Sequence, residues 1–294
     1  MDLWLAANAT TVLNGLALAA VLFLIAVGLS LVFGTMDVLN LAHGAVSLIG
    51  AYVGVALLGG QSSIGMFLVA VLAAAAIGML IGTALAAMTS SVNDHLRQAL
   101  LTLGVALIAG DLLREVFGSD VESVSPPQVL AGGVPVLGSP YPVYRLVMVV
   151  VGAVVAIALY LVLERTKVGA IVRATVADRA MVEAIGIRSK LVLGTVFGAG
   201  TALAAVGGLL AAPVLGAQPG LDRTVLLLAL VVVVIGGLGS VRGALLGALL
   251  VGQVQTLGVS MLSEFASFLL FGAMAVVLLL RPAGLFPAKT GGHA

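Results

Sequence analysis

From Val12 to Phe33 the chain reads VLNGLALAAVLFLIAVGLSLVF, twenty-two residues without a charge. About 20 apolar residues of α-helix suffice to cross the hydrocarbon core of a bilayer. A run this long and this apolar reads as a membrane span. Similar runs follow at 44–59, 64–88, 98–117, 144–163, 191–213, 224–238, 243–260 and 265–280. The expected fold is therefore all-α, a polytopic helical membrane protein of about nine transmembrane helices, within a range of eight to ten. The runs 44–59 and 224–238 are short and are candidates for broken or re-entrant segments. No alternation at period two persists over the length of a membrane-barrel strand.

Composition points the same way. Of 294 residues, 62% are hydrophobic and 9% charged, and mean hydropathy is +1.27. Soluble domains carry roughly 25% charged residues, so these charges cannot clothe a water-facing surface and lipid must supply much of the solvent. A net charge of +1, with no basic stripe interleaved with aromatics, gives no nucleic-acid signal. Cysteine is absent, which excludes disulfides, thiolate metal sites and cysteine nucleophiles. The 38 glycines are spread through the apolar runs, as close helix packing in membranes requires. Gly50/Gly54, Gly78/Gly82 and Gly239/Gly243/Gly247 are the expected small-residue rows. The start, Met1-Asp2-Leu3-Trp4-Leu5, has no basic region of the secretory kind, and 289–294 is expected to be a disordered tail.

Cations set the orientation. Six of the thirteen (Arg165, Lys167, Arg173, Arg179, Arg188 and Lys190) fall in 164–190, which is expected to be cytoplasmic. Segment 118–143 has Asp120 and Glu122 but no Lys or Arg and is expected outside. Alternation then puts Arg97, Arg242 and Arg281 inside, the turn 59–63 and Glu264 outside, the N-terminus outside and the C-terminus inside. Asp222 and Arg223 read as an interfacial pair, Arg114 and Arg145 as membrane-edge anchors. An internal repeat relates 43–51 to 242–248, each copy following a glycine-bearing run, 32–34 in one and 236–239 in the other. Short, glycine-interrupted segments in two halves mark the pathway of transporter folds.

Two stretches could carry function. Asp37, Asn40, His43 and Ser47 surround the first short run. Either they form a break whose new helix N-terminus lines a pathway and favours a carboxylate, or they form an interfacial turn with Asp37 or Asn40 as a cap. In the loop 164–190 the apolar residues 168, 171, 172, 182 and 185 could share a helical face, but Asp178 and Arg179 intrude, so two short helices are expected. This loop is either a solvated linker or a docking surface. No chemistry-bearing motif occurs. There is no G-x-x-x-x-G-K-[ST], no H-E-x-x-H, and Arg242 stands where a dinucleotide fingerprint needs glycine. No catalytic residue, metal ligand or cofactor is assigned to this chain.

The run 34–54, centred on Asn40-Leu41-Ala42-His43-Gly44, resembles the start of LivH-type permeases of branched-chain amino acid ABC importers. So do Gly169…Arg173-Ala174…Asp178…Ile185-Gly186-Ile187, Ala204–Gly208, Ile235–Ser240 and Leu280-Arg281-Pro282-Ala283-Gly284-Leu285-Phe286. The likeness runs in order over most of the chain and departs at Leu41, where the family often has Phe. It implies a single permease domain in a bacterial inner membrane, working by alternating access. It also implies a second homologous permease, two cytoplasmic ATPase subunits that bind the ATP, and an extracytoplasmic binding protein docking on outer loops that include 118–143. Coupling to the ATPases falls on Gly169, Arg173, Asp178, Glu183 and Gly186. Leucine, isoleucine or valine is the default substrate, with urea, amides or small aromatic carboxylates as alternatives within the family. A ribose-type sugar permease is a closer alternative within the ABC class. An ion-coupled secondary transporter is the rival from another class, although no cluster of carboxylates lies mid-span.

Overall fold

The computed structural model describes residues 2–59, 63–92, 94–136 and 139–286. The expected tail 289–294 and part of the turn 59–63 lie outside them. Among the described residues, helices take up all nine apolar runs. They are α1 (Asp2–Met36), α2 (His43–Leu58), α3 (Ile64–Thr89), α4 (His95–Phe117) and α5 (Val143–Arg165), then α8 (Ser189–Leu215), α9 (Leu221–Gly236), α10 (Val241–Met261) and α11 (Ala266–Leu280). Between α5 and α8 lie the short helices α6 (Lys167–Ala177) and α7 (Arg179–Ala184). Among the described residues, five helices are long and apolar enough to cross a membrane: α1, α3, α5, α8 and α10.

Segment 118–143, expected as an outer loop, contains a small antiparallel hairpin, β1 (Gly133–Val136) and β2 (Ser139–Pro142), paired Gly133 to Pro142. Four-residue strands rich in Pro and Gly leave no alternation to read. Glu122 and Ala217 exchange backbone hydrogen bonds of 2.8 Å, so this segment and the α8–α9 turn share one end of the bundle. At the other end Arg242 lies 3.8 Å from Glu164 and stacks over the Tyr160 ring.

Helix α1 is apolar on every face, as a helix set in lipid or in a protein core is. Val21 to Val27, Leu29, Ser30 and Val32 are all buried, against α8, α10, α5 and α9. Apolar side chains gain nothing by leaving lipid for protein, so association rests on close packing. Helix α8 supplies it. A Cβ on Gly200 would sit 2.6 Å from the Gly28 carbonyl, and one on Gly208 would strike the Ser47 carbonyl. Gly50 is likewise closed against Ala205, and Gly82 against Thr201. The Thr201 hydroxyl reaches the Gly78 carbonyl at 2.9 Å, so α1, α2 and α3 all ride on one helix.

Gly208→Val should cost about 1–3 kcal/mol through overpacking, whereas Gly104→Ala, with nothing within 4 Å, should be neutral or stabilising by up to about 1 kcal/mol. Thermal unfolding of the two variants in detergent measures the contrast.

Candidate functional site

Helix α1 ends at Met36, and Asp37 adopts φ +54°, a left-handed conformation that Asp tolerates better than most residues. The chain then doubles back along α1. His43 Nε2–H donates to the Ile25 carbonyl at 2.8 Å, eleven residues before Met36, which is about 16 Å of helix. Helix α2 therefore starts inside the bundle, not at its end. Lipid offers no partners to backbone groups, so a reversal at such depth has to be satisfied by protein. Asn40 Oδ1 accepts from Ala42 N at 3.1 Å, Asn40 O from His43 N at 3.3 Å, and the Thr102 hydroxyl of α4 from Leu41 N at 3.1 Å.

The four residues expected around this break do not form one open site. Asp37 is exposed at the turn, with its carbonyl 3.1 Å from His95 Nδ1 of α4. Asn40 and His43 are fully buried, and Ser47 lies one turn along α2 against Gly208. Helix α9 closes the space before α2, since a Cβ on Gly44 would strike the Asp222 carbonyl. Asn40 Nδ2 and His43 Nδ1 have no hydrogen-bond partner. Asp222 and Arg223 form no ion pair with each other among the described residues, because neighbours in a helix do not face one another. Gly34 and Gly239, which end the two glycine-bearing runs preceding the repeated segments, lie against each other, a Cβ on Gly34 falling 2.5 Å from Gly239 Cα.

The loop 164–190 folds as α6 and α7, as Asp178 and Arg179 required. The Thr166 hydroxyl caps α6 at Gly169 N, and Asp178 Oδ1 caps α7 at Met181 N (2.9 Å). Arg173 donates to the Leu163 carbonyl, and Gly169 packs under the same turn of α5. Gly186 turns the chain towards α8 with φ +87°. The single apolar face divides: Gly169, Val172 and Val182 turn inward, whereas Val168 (61%), Met181 (61%) and Ile185 (66%) are exposed. Glu183 accepts from the Ser189 hydroxyl and from Arg179 Nε (3.2 Å), and these bonds hold its carboxyl below the usual range.

A feature not foreseen lies at the opposite end, where Arg145 lines a cavity of about 460 Å³ between α1, α5, α8 and α10. Its lining comes from four helices distant in sequence, so no local pattern signals it.

Long apolar helices around two short ones that begin inside the bundle are the architecture of a polytopic membrane protein of transport type. Residues 11–279 match the family model described as "Branched-chain amino acid transport system / permease component", and the chain belongs to this family. It is 28% identical over 290 residues to the high-affinity branched-chain amino acid transport system permease protein BraD of Pseudomonas aeruginosa, covering 92% of this chain and 93% of that one. To the corresponding LivH proteins of Salmonella typhimurium and Escherichia coli it is 27% identical over 286 residues, with the same coverage. No solved structure matches the chain.

His43→Ala should destabilise the fold by about 1–3 kcal/mol, through a lost buried hydrogen bond and the space left behind. His43→Gln, which keeps a donor, should recover part of this in the unfolding midpoint. For Glu183 the sign follows from its lowered folded pKa: the stabilisation is complete above the unfolded carboxylate pKa and is lost as pH falls through the folded value. Hydrogen exchange over 179–189 should thus quicken in mild acid, and in Glu183→Gln it should already be fast at neutral pH.

Proposed function

We propose that the chain is the permease subunit of an ATP-driven importer of branched-chain amino acids. The family match across 11–279 carries this reading, and the branched-chain amino acids for which the relatives are named supply the substrate class. The subunit pairs with a second homologous permease. Two cytoplasmic ATPases dock on α6 and α7, and an extracytoplasmic binding protein docks at the end that holds 118–143. The N-terminus faces outward and the C-terminus the cytoplasm, with the cation-rich 164–190 on the cytoplasmic side.

Exposed Val168, Met181 and Ile185 on helices that also carry Arg173, Arg179 and Glu183 suit a partner groove better than water. ATP-driven closure of the ATPases moves α6 and α7, and the permeases alternate between outward- and inward-open states. Asp37, Asn40, His43 and Ser47 serve as the break about which α2 shifts, with α9 moving against Gly44.

Purification from membranes should bring down an ATPase pair, and the reconstituted assembly with its binding protein should take up leucine only with ATP. Met181→Asp with Ile185→Asp should lower ATP-coupled uptake at least about tenfold while leaving the permease folded. ATP-independent leucine uptake by this chain alone in liposomes would refute the importer reading. Uptake of urea or an aromatic carboxylate instead of leucine would move the substrate assignment.

A further inference from the structure

The cavity around Arg145 has a definite chemistry. Its floor is apolar, formed by Leu18 and Val21 of α1, Met148 of α5 and Ala211 of α8. Its polar groups come from separate helices: Asn14 from α1, Arg145 from α5, and Gln255 and Thr256 from α10. About 460 Å³ lies within the roughly 300–1,000 Å³ of small-molecule sites. Arg145 donates to Asn14 Oδ1, and a guanidinium has more donors than that bond uses. No carboxylate stands within ion-pair distance of Arg145 among the described residues. A cation at the edge of an apolar cavity without a counter-charge favours an anion there. Gln255 Oε1 is buried and has no hydrogen-bond partner, so the same cavity also has an acceptor to satisfy. An acidic lipid would use the guanidinium and the apolar floor but would meet Gln255 only with a neutral headgroup hydroxyl, a weaker donor than an ammonium. A zwitterion with an aliphatic side chain uses all three.

We propose that this cavity binds an aliphatic α-amino acid, with its carboxylate on Arg145, its ammonium on Gln255 and its hydrocarbon on Leu18, Val21 and Met148. The site rests on the importer reading and deepens it. It sits directly below the hairpin, because α5 starts one residue after β2. Arg145 also acts on Tyr141 of β2, where burial pushes the phenol up and the guanidinium opposes that shift. An amino acid released at this end meets Arg145 before it reaches the buried start of α2.

Tritiated leucine binding to the assembled permease–ATPase complex, in nanodiscs without ATP or binding protein, tests the site. Saturable binding is expected in neutral phosphatidylcholine discs. Leucinamide and 4-methylpentanoate, lacking the carboxylate and the ammonium respectively, should each compete at least about tenfold less well than leucine. Arg145→Ala and Gln255→Leu should each weaken binding at least about tenfold, with Arg145→Lys in between. Met148→Trp, which fills the floor and leaves the polar groups in place, should abolish binding if Arg145→Ala does not assemble. Leucine binding unchanged in these variants overturns the proposal. So does a phosphatidylglycerol molecule retained in an Arg145-dependent way by wild-type protein that binds no leucine. ATP-driven leucine uptake by the full assembly without such binding would sink this site alone, whereas absence of ATP-driven uptake of leucine, urea and aromatic carboxylates alike would sink the importer reading itself.

Discussion

Backbone-to-backbone contact along α8 is the constraint on which the rest of the molecule depends. Between lipid-soluble helices, side-chain burial brings little net gain, and what remains is dispersion, which falls off within an ångström or so of separation. Gly200 against Gly28 and Gly208 against Ser47 remove the Cβ atoms that would hold the axes apart. That approach encloses α1, so protein rather than lipid surrounds most of its apolar surface. It also brings polar groups of different helices within bonding range, as Thr201 with Gly78 and Tyr144 with Leu210 at 2.9 Å illustrate. Helices α3 and α5, which lie further out, keep wide exposed faces of Leu, Val and Ile for lipid.

The same tightness allows a helix to start inside the bundle. A reversal such as 37–42 would normally be confined to the water interface, because its amides lose helical partners. Here a side-chain amide (Asn40), a threonine hydroxyl on α4 (Thr102) and a histidine bound to the carbonyl of Ile25 take over that role. Helices α2 and α9, sixteen residues each, extend about 24 Å, less than the roughly 30 Å core. They meet where Gly44 faces Asp222. Both fall short of a full crossing, and α2 is buried along most of its length.

How much of this was legible in the sequence follows from the range of each interaction. Apolar runs depend on local composition, and all nine fall on helices among the described residues, five of them long and apolar enough to cross a membrane. The split of 164–190 was legible because Asp178 is a helix-capping residue placed inside an apolar pattern. The depth of the break was not, since an Asn and a His after a complete span suit an interfacial turn equally well, and only the contact with Ile25 decides. The distribution of 168, 171, 172, 182 and 185 between two faces depends on where α5 and α8 stand, which no local period encodes. Arg145 read as a membrane-edge anchor for the same reason: its cavity exists only once α1, α8 and α10 are assembled around it.

Helix α8 joins these regions mechanically. Its first residue, Ser189, is bonded to Glu183 and Arg179 of α7. Its middle carries the glycines that receive α1 and α2, and its last turns line the Arg145 cavity. Ala217, just beyond it, pairs with Glu122 of the opposite end. A continuous helix of 27 residues transmits a displacement of its first turn along its length, because its hydrogen bonds resist both bending and extension. The weak place is Pro213, which has no amide hydrogen to give and crowds the carbonyl four residues earlier, followed by Gly216 at φ +74°. Helical hydrogen bonding thus runs unbroken from the α7 contact to Gly208, and the proline lies beyond it, beside the cavity lined by Ala211, Val214 and Leu215.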